Sequence, residues 1–233
     1  MTAIKKLNFE IREGEKVAII GSTGSGKSTL AQLLLRMMDP TEGRIILDGL
    51  PLPQHRLKTL REGISYVPQE VFLFSDTIRN NILFGNRDAT DEEVEHAANV
   101  AAIHTDIFRF KSGYETMVGE RGLTLSGGQK QRISIARGLV KDPQMIILDD
   151  CLSAVDSETE KEILSSLDQF LHGKTALVIT HRIFSLMQFD RIFVMHDGEL
   201  AEQGTHESLL KLNGRYAALY QKQQEEWEGR GAS

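Results

Sequence analysis

The chain has 233 residues, long enough to bury a core, and its 27 basic and 33 acidic side chains give a formal charge of −6. That mildly acidic balance leaves no electrostatic footprint for nucleic acid. The single cysteine, Cys151, excludes an internal disulfide, and no apolar run approaches the ~20 residues that cross a bilayer as a helix.

Residues 3–20 read as strand, turn and strand: the alternating Leu7-Asn8-Phe9-Glu10-Ile11, a turn at Gly14, then a buried strand over Lys16–Ile20. A glycine-rich stretch, Gly21 to Thr29, leads into a helix predicted from Lys27 to Met38 and stopped by Asp39-Pro40. Arg44–Leu47 reads as a short strand ending at the Asp48-Gly49 turn, Leu57–Glu62 as a helix, and Ile64–Val67 as a strand before Pro68. From Ile78 to about Val140 β-branched runs are few. Asp91–Ala102 has helical spacing behind an Asp N-cap, and Gly127–Val140 is a second helix, so this part reads as a helical insertion. Strands return at Met145–Leu148 and Ala176–Thr180, with a helix over Glu158–Leu171 between them. Ile192–Met195 is a further strand, turning at Asp197-Gly198 towards Leu200, and the tail from Glu207 to Trp227 is helical and polar.

The stretch Gly21-Ser22-Thr23-Gly24-Ser25-Gly26-Lys27-Ser28-Thr29 is a complete phosphate-binding loop between a strand and a helix, the context this motif requires. Its glycines let successive N–H groups turn inward around oxyanions, and the helix opening at Lys27 adds its positive dipole end. Lys27 supplies a full charge for the outer phosphates, and the Ser28 hydroxyl suits Mg²⁺. Such a chain binds a nucleoside triphosphate. The strand Met145-Ile146-Ile147-Leu148 ends in Asp149, which it delivers to the carboxyl edge of a sheet, where it can hold the same ion.

Leu125-Ser126-Gly127-Gly128-Gln129 places a serine N-cap and two glycines at a second helix N-terminus, a second anion site. With the other two motifs it resembles the signature of the ATP-binding cassette family, whose members drive transporters. The resemblance runs over nearly the whole chain and implies an α/β fold: a P-loop NTPase (RecA-like) core with an antiparallel β subdomain and an inserted α-helical subdomain. It implies one nucleotide-binding domain over 1–233. Residues 1–70 and 140–206 would form the core with its β subdomain, 71–139 the helical subdomain and 207–233 a helical tail.

The ligands implied are ATP, held by Ser22, Thr23, Gly24, Ser25, Gly26, Lys27, Ser28 and Thr29, and Mg²⁺, held by Ser28, Gln69 and Asp149. Gln69, in Tyr66-Val67-Pro68-Gln69, looks like the glutamine that reaches magnesium and senses the membrane partner. His181 looks like the switch histidine on the γ-phosphate. Ser153-Ala154-Val155-Asp156 resembles the loop through which two sites communicate, with valine where leucine is frequent. In the family two domains pack head to tail, so Ser126, Gly127, Gly128 and Gln129 would complete a partner's site in trans. The partners implied are a second such domain, identical or different, and the transmembrane domains of an exporter, which implies a place on the cytoplasmic side of the cell's inner membrane.

Thr116-Met117-Val118-Gly119-Glu120-Arg121-Gly122 and Phe72 to Gly85 are similar to the segments of exporters, closest to bacterial multidrug or lipid exporters. Two departures stand out. Asp150 occupies the position of the usual catalytic glutamate, one methylene short. Because general-base action needs contact near ~3 Å, this implies slow hydrolysis at the chain's own site, as in one half of heterodimeric exporters. His181 argues mildly the other way, because degenerate halves often lose that residue. Phe9 is the only aromatic before residue 21, so the adenine-stacking platform is absent, which implies a fragment of a longer polypeptide. Two alternatives stand beside the motor: a regulatory ATP-binding module, and a soluble cassette ATPase of DNA maintenance. The last needs coiled-coil or DNA-binding segments not present here.

Overall fold

In the computed structural model, which describes residues 3–119, 123–182 and 189–231, Val17-Ala18-Ile19-Ile20 is buried from end to end, as befits a parallel strand covered on both faces. The elements in chain order are β1 (Lys16–Gly21), α1 (Lys27–Leu34), β2 (Ile46–Leu47), β3 (Leu50–Pro51), α2 (Leu57–Gly63), β4 (Ile64–Val67), α3 (Ile78–Leu83), α4 (Asp91–Val100), α5 (His104–Arg109) and α6 (Gly127–Leu139). There follow β5 (Met145–Asp149), α7 (Ser157–Phe170), β6 (Thr175–Ile179), β7 (Arg191–His196), β8 (Glu199–Gly204), α8 (His206–Leu212) and α9 (Arg215–Gly231). They fall into two units, Met1–Arg61 with Thr175–Ser233, and Glu62–Lys174.

In the first unit β1 runs parallel to β6 on one side and to β7 on the other, pairing Ile19 with both Ile179 and Phe193. β8 returns antiparallel to β7 through Asp197-Gly198, and β2 and β3 form a small antiparallel hairpin about Asp48-Gly49. One face of this sheet is closed by α8 and α9: fully buried Tyr216 and Leu209 meet Ala18, Ile20, Ile192 and Val194. The Tyr216 hydroxyl pairs with His206 Nδ1 at 2.6 Å, and the Glu202 carboxylate accepts from the first amides of α9, Arg215 and Tyr216.

Three sequence expectations change in this unit. Leu7–Ile11 is not a strand. Lys5 N–H donates to the Gly198 carbonyl at 2.7 Å, and Phe9 stacks obliquely on Phe193 at 5.0 Å, so ring packing satisfies the alternation that suggested a ladder. The first helix ends at Leu34, not Met38: Arg36 turns left-handed at φ 49°, with its N–H on Leu33 and that of Met37 on Gln32, closing a Schellman motif without glycine. The tail is two helices, broken where Asn213 adopts φ 52°.

In the second unit β4 and β5 are parallel, from Ile64 opposite Met145 to Val67 opposite Leu148. α6 lies against β4 with Ile133, Ile135, Ala136 and Leu139 buried. Gly138 permits the approach, because a Cβ there would come within 2.7 Å of Val67, and Ser65 Oγ donates to its carbonyl at 2.8 Å. The cap of α4 is Thr90, in a full capping box with Glu93, and not an aspartate; Asp91 sits in the first turn, where its charge meets the helix dipole. α3 is fastened by Asn81, wholly buried. Its amide donates to the carbonyls of Phe74 and Thr77 at 3.0 Å, and its oxygen accepts from Phe74 N–H and Arg137, both at 2.9 Å.

Asn81→Ala would leave Arg137 and three backbone groups without this partner. It should destabilise the fold by about 2–4 kcal/mol, read as a lowered urea midpoint at unchanged slope.

Candidate nucleotide site

The first unit carries the phosphate loop. β1 and β6 are parallel neighbours with Ile19 opposite Ile179, so the loop after β1 and His181 after β6 leave the same carboxyl edge. Gly21, paired with Met195, could not be another residue: a Cβ would stand 2.2 Å from the Met195 carbonyl and 2.8 Å from Ser25 Oγ. Gly26 is left-handed at φ 99°, and its Cβ would meet the Ala3 carbonyl at 2.6 Å. Gly24, at φ 80°, faces open space.

Between these anchors Ser22, Thr23 and Gly24 are exposed, as is Ser28, while Ser25, Gly26 and Lys27 are buried. The Lys27 ammonium folds into the loop, donating to the carbonyls of Gly21 and Ser22 at 2.9 Å each. α1 begins at Gly26 with no side-chain cap, leaving its positive end to an external anion. A bent backbone, an uncapped helix start and an ammonium at the hub fit a polyphosphate.

In the second unit the parallel β4 and β5 bring Gln69 and the Asp149-Asp150 pair to one edge. Asp149, only 3% exposed, accepts from the Tyr66 hydroxyl at 3.1 Å. Burial, and then the charge of Asp149, hold the Tyr66 phenol well above its ordinary pKa, so it stays a donor. No group of three or more acidic, histidine or cysteine side chains suited to a metal occurs among the described residues. One anchored carboxylate fits magnesium, which takes most of its ligands from phosphates and water rather than from a protein cage.

Asp150 is half-buried, and Gln69 Nε2 donates to its Oδ2 at 3.1 Å. Its backbone is left-handed at φ 46°, a region aspartate tolerates better than most residues. The geometry is held from behind. Ser153 Oγ donates to the Asp150 carbonyl at 3.0 Å, and Gln131, buried on α6, both donates to Ser153 Oγ at 3.3 Å and accepts from Ala154 N–H at 3.0 Å. Sequence reasoning assigned no role to Tyr66 or Gln131, and took Ser153 only as the start of the loop 153–156. The available signal was a glutamine on the inward stripe of α6, two residues past the Ser126–Gln129 turn.

That turn caps its own helix. Ser126 Oγ accepts from Gln129 N–H at 3.2 Å, and Gln129 Oε1 accepts from Ser126 N–H at 3.1 Å. Gly127 is exposed, and at Gly128 a Cβ would meet the Ala154 carbonyl at 3.0 Å, so the turn rests on the loop that follows Asp150. Asp156 is the N-cap of α7: its Oδ1 accepts from Thr159 N–H at 3.0 Å, and that bond holds its carboxyl below the usual range. Of the exporter-like segment 116–122, Glu120, Arg121 and Gly122 lie outside the described residues. Buried Cys151 takes no part; burial pushes its thiol up to about 12.

A phosphate loop at the carboxyl edge of the first unit's parallel strands, with a buried aspartate at a strand end and a self-capped glycine turn in the second unit, defines a nucleotide-hydrolysing domain. The model of the ABC transporter family matches residues 4–153, and the chain belongs to that family, as one of its ATP-binding, ATP-hydrolysing domains. It is 48% identical over 221 residues to the probable multidrug resistance ABC transporter ATP-binding/permease protein YheI of Bacillus subtilis, covering 95% of this chain and 38% of that protein. To the ATP-dependent lipid A-core flippase of Alcanivorax borkumensis it is 46% identical, over 93% of this chain and 38% of the flippase. Among solved structures, a bacterial Atm1-family ABC exporter with ATP bound superposes with a TM-score of 0.92 at 45% identity, over 95% of this chain and 39% of that one. The chain thus spans well under half the length of these relatives.

Gly21→Ala should abolish nucleotide binding and lower the melting temperature sharply, whereas Gly24→Ala adds only left-handed strain of about 1–2 kcal/mol; thermal unfolding separates them. Cys151 offers a second check. With its pKa raised from an ordinary value near 9 to about 12, the thiolate fraction at pH 8 falls to about 10⁻⁴. Alkylation should therefore track global unfolding. The neutral thiol is favoured in the folded state, so its contribution is complete below pH ~9 and is lost as pH rises towards 12.

Proposed function

We propose that this chain is the ATP-driven motor of a membrane exporter, working head to tail with a second domain of its kind at the cytoplasmic face of the membrane. A duplication carries the reading: one chain holds two helix starts suited to an anion, the uncapped α1 and the exposed turn before α6. One nucleotide needs one cradle, so the second is assigned to the partner's nucleotide.

On this reading the two units act as one ATP-binding domain. Ser22 to Thr29 hold the phosphates, and Ser28, Gln69 and Asp149 hold magnesium, which when bound offsets negative charge on the outer phosphates. His181 meets the terminal phosphate. Ser126, Gly127, Gly128 and Gln129 close over the partner's ATP, and Asp156 keeps the intervening loop anchored to α7. The contacts from Gln131 through Ser153 to Asp150 give a route by which an occupied signature turn biases the chain's own acid.

A membrane partner is supported by exposed aromatic and apolar side chains gathered on the helical part of the second unit. Phe72, Phe74 and Phe84 stack in series at 5.1 and 4.5 Å, and Arg137 lies over the latter two. Phe72 is 66% exposed and Met117 47%, more apolar surface than a solvated face needs. No helix among the described residues is long and apolar enough to cross a membrane, so membrane helices would be contributed by other sequence. The cargo class, drugs or lipids, is carried over from the relatives.

Asp150 makes hydrolysis at this site slow. Its carboxylate is a methylene short of the usual glutamate and is engaged by Gln69, which also favours a second reading, a regulatory ATP-binding half of a heterodimer. In the complete transporter Asp150→Glu should raise turnover at this site by about 10²-fold, measured with the partner site inactivated; unchanged turnover sinks the argument. Ser126→Arg should leave ATP affinity intact and prevent ATP-driven pairing, read by light scattering. Loss of ATP affinity in the unpaired chain would contradict the assignment in trans.

A further inference from the structure

We propose that Gln223 on α9 is a positioning residue for His181, so that the C-terminal helix governs how that histidine meets the terminal phosphate. The proposal rests on the reading of His181 given above. Tyr216, Leu219 and Gln223 recur at helical spacing and share one stripe of α9. The first two anchor it: Tyr216 is wholly buried over Ala18 and Ile20, and Leu219 packs against the same cluster. Gln223, one turn beyond Leu219, donates its Nε2–H to the His181 carbonyl.

The contact falls where the loop is otherwise leaving the sheet. The last ladder bond of β6 is Thr180 N–H on the Ile19 carbonyl, at 3.1 Å. Beyond it, the Thr180 hydroxyl accepts from Arg182 N–H at 3.0 Å, and the His181 side chain is exposed. The peptide of His181 is thus gripped by one side chain from its own loop and one from α9. A small cavity of about 50 Å³ lies there, lined by Ile20, Gly21, Thr180, His181, Leu219 and Gln223, so α9 reaches the exit of β6 and the first glycine of the phosphate loop together.

The test uses the complete transporter in membranes, with ATP and ADP affinities measured separately in magnesium by displacement of a fluorescent nucleotide. Gln223→Glu keeps size and helix propensity but sets an acceptor against the His181 carbonyl; Gln223→Ala simply removes the donor. Both should lower the preference for ATP over ADP, by about threefold for the alanine and more for the glutamate, with ADP affinity unchanged. In a His181→Ala background, which itself loses the preference, neither should have any further effect. If His181→Ala loses the preference and both Gln223 variants keep it, the proposal is overturned alone. If His181→Ala keeps it, the reading of His181 falls and the proposal with it. If ATP and ADP affinities drop together, α9 is only a brace for the fold, which also refutes the proposal.

Discussion

The carbonyl of Met195 stands directly over residue 21, because β1 and β7 pair there in parallel register. A side chain at that point would part the two strands, so the chain leaves β1 through a glycine and bends at once. Everything in the phosphate loop depends on that bend. It sets Ser22 to Gly24 out in solvent, folds Lys27 back onto the carbonyls of Gly21 and Ser22, and starts α1 at a left-handed glycine that cannot cap it. The parallel pairing of β1 with β6 then puts His181 at the same edge, where α9 reaches it. One close backbone approach thus orders the phosphate loop, and the same sheet brings His181 to its edge.

In the second unit an apolar core is joined by polar side chains buried with their partners. Asn81 joins α3, the Phe74 turn and Arg137 of α6; Gln131 joins α6 to the loop after Asp150. Such networks are stiff when every member is satisfied, since moving one element strands the groups of another. This ties the Ser126–Gln129 turn's helix to the strand end that carries Asp149 and Asp150. It also accounts for Asp150 in a left-handed conformation, where its carbonyl is the one that Ser153 holds.

Much of this was legible from residues alone. The phosphate loop was readable because each of its positions has a separate chemical reason, and Ser126–Gln129 because a capping box and two glycines at a helix start leave few other uses. Boundaries were less legible. Arg36 ends a helix in a left-handed turn without glycine, so no local residue announces that stop, whereas the Asn213-Gly214 stop is marked locally and was read through. Leu7–Ile11 alternates like a strand, yet Phe9 was met by the ring of Phe193 and not by a ladder. Tyr66 and Gln131 were missed because each is an ordinary polar residue until its partner, 83 or 22 positions away, is brought beside it.

The sequence by itself therefore carried the patterns: a phosphate loop, an apolar strand ending in a carboxylate, an aspartate one methylene shorter than a glutamate, and a glycine turn at a second helix start. These are local patterns, in which spacing along the chain and spacing in space are the same thing. Tertiary structure alone decided which distant side chains meet them: Tyr66 on Asp149, Gln69 on Asp150, Gln131 on Ser153 and Gln223 on His181. The reason is physical. A hydrogen bond between residues far apart in the chain forms only after strand register and helix docking have brought them together, and neither partner carries a mark of the other.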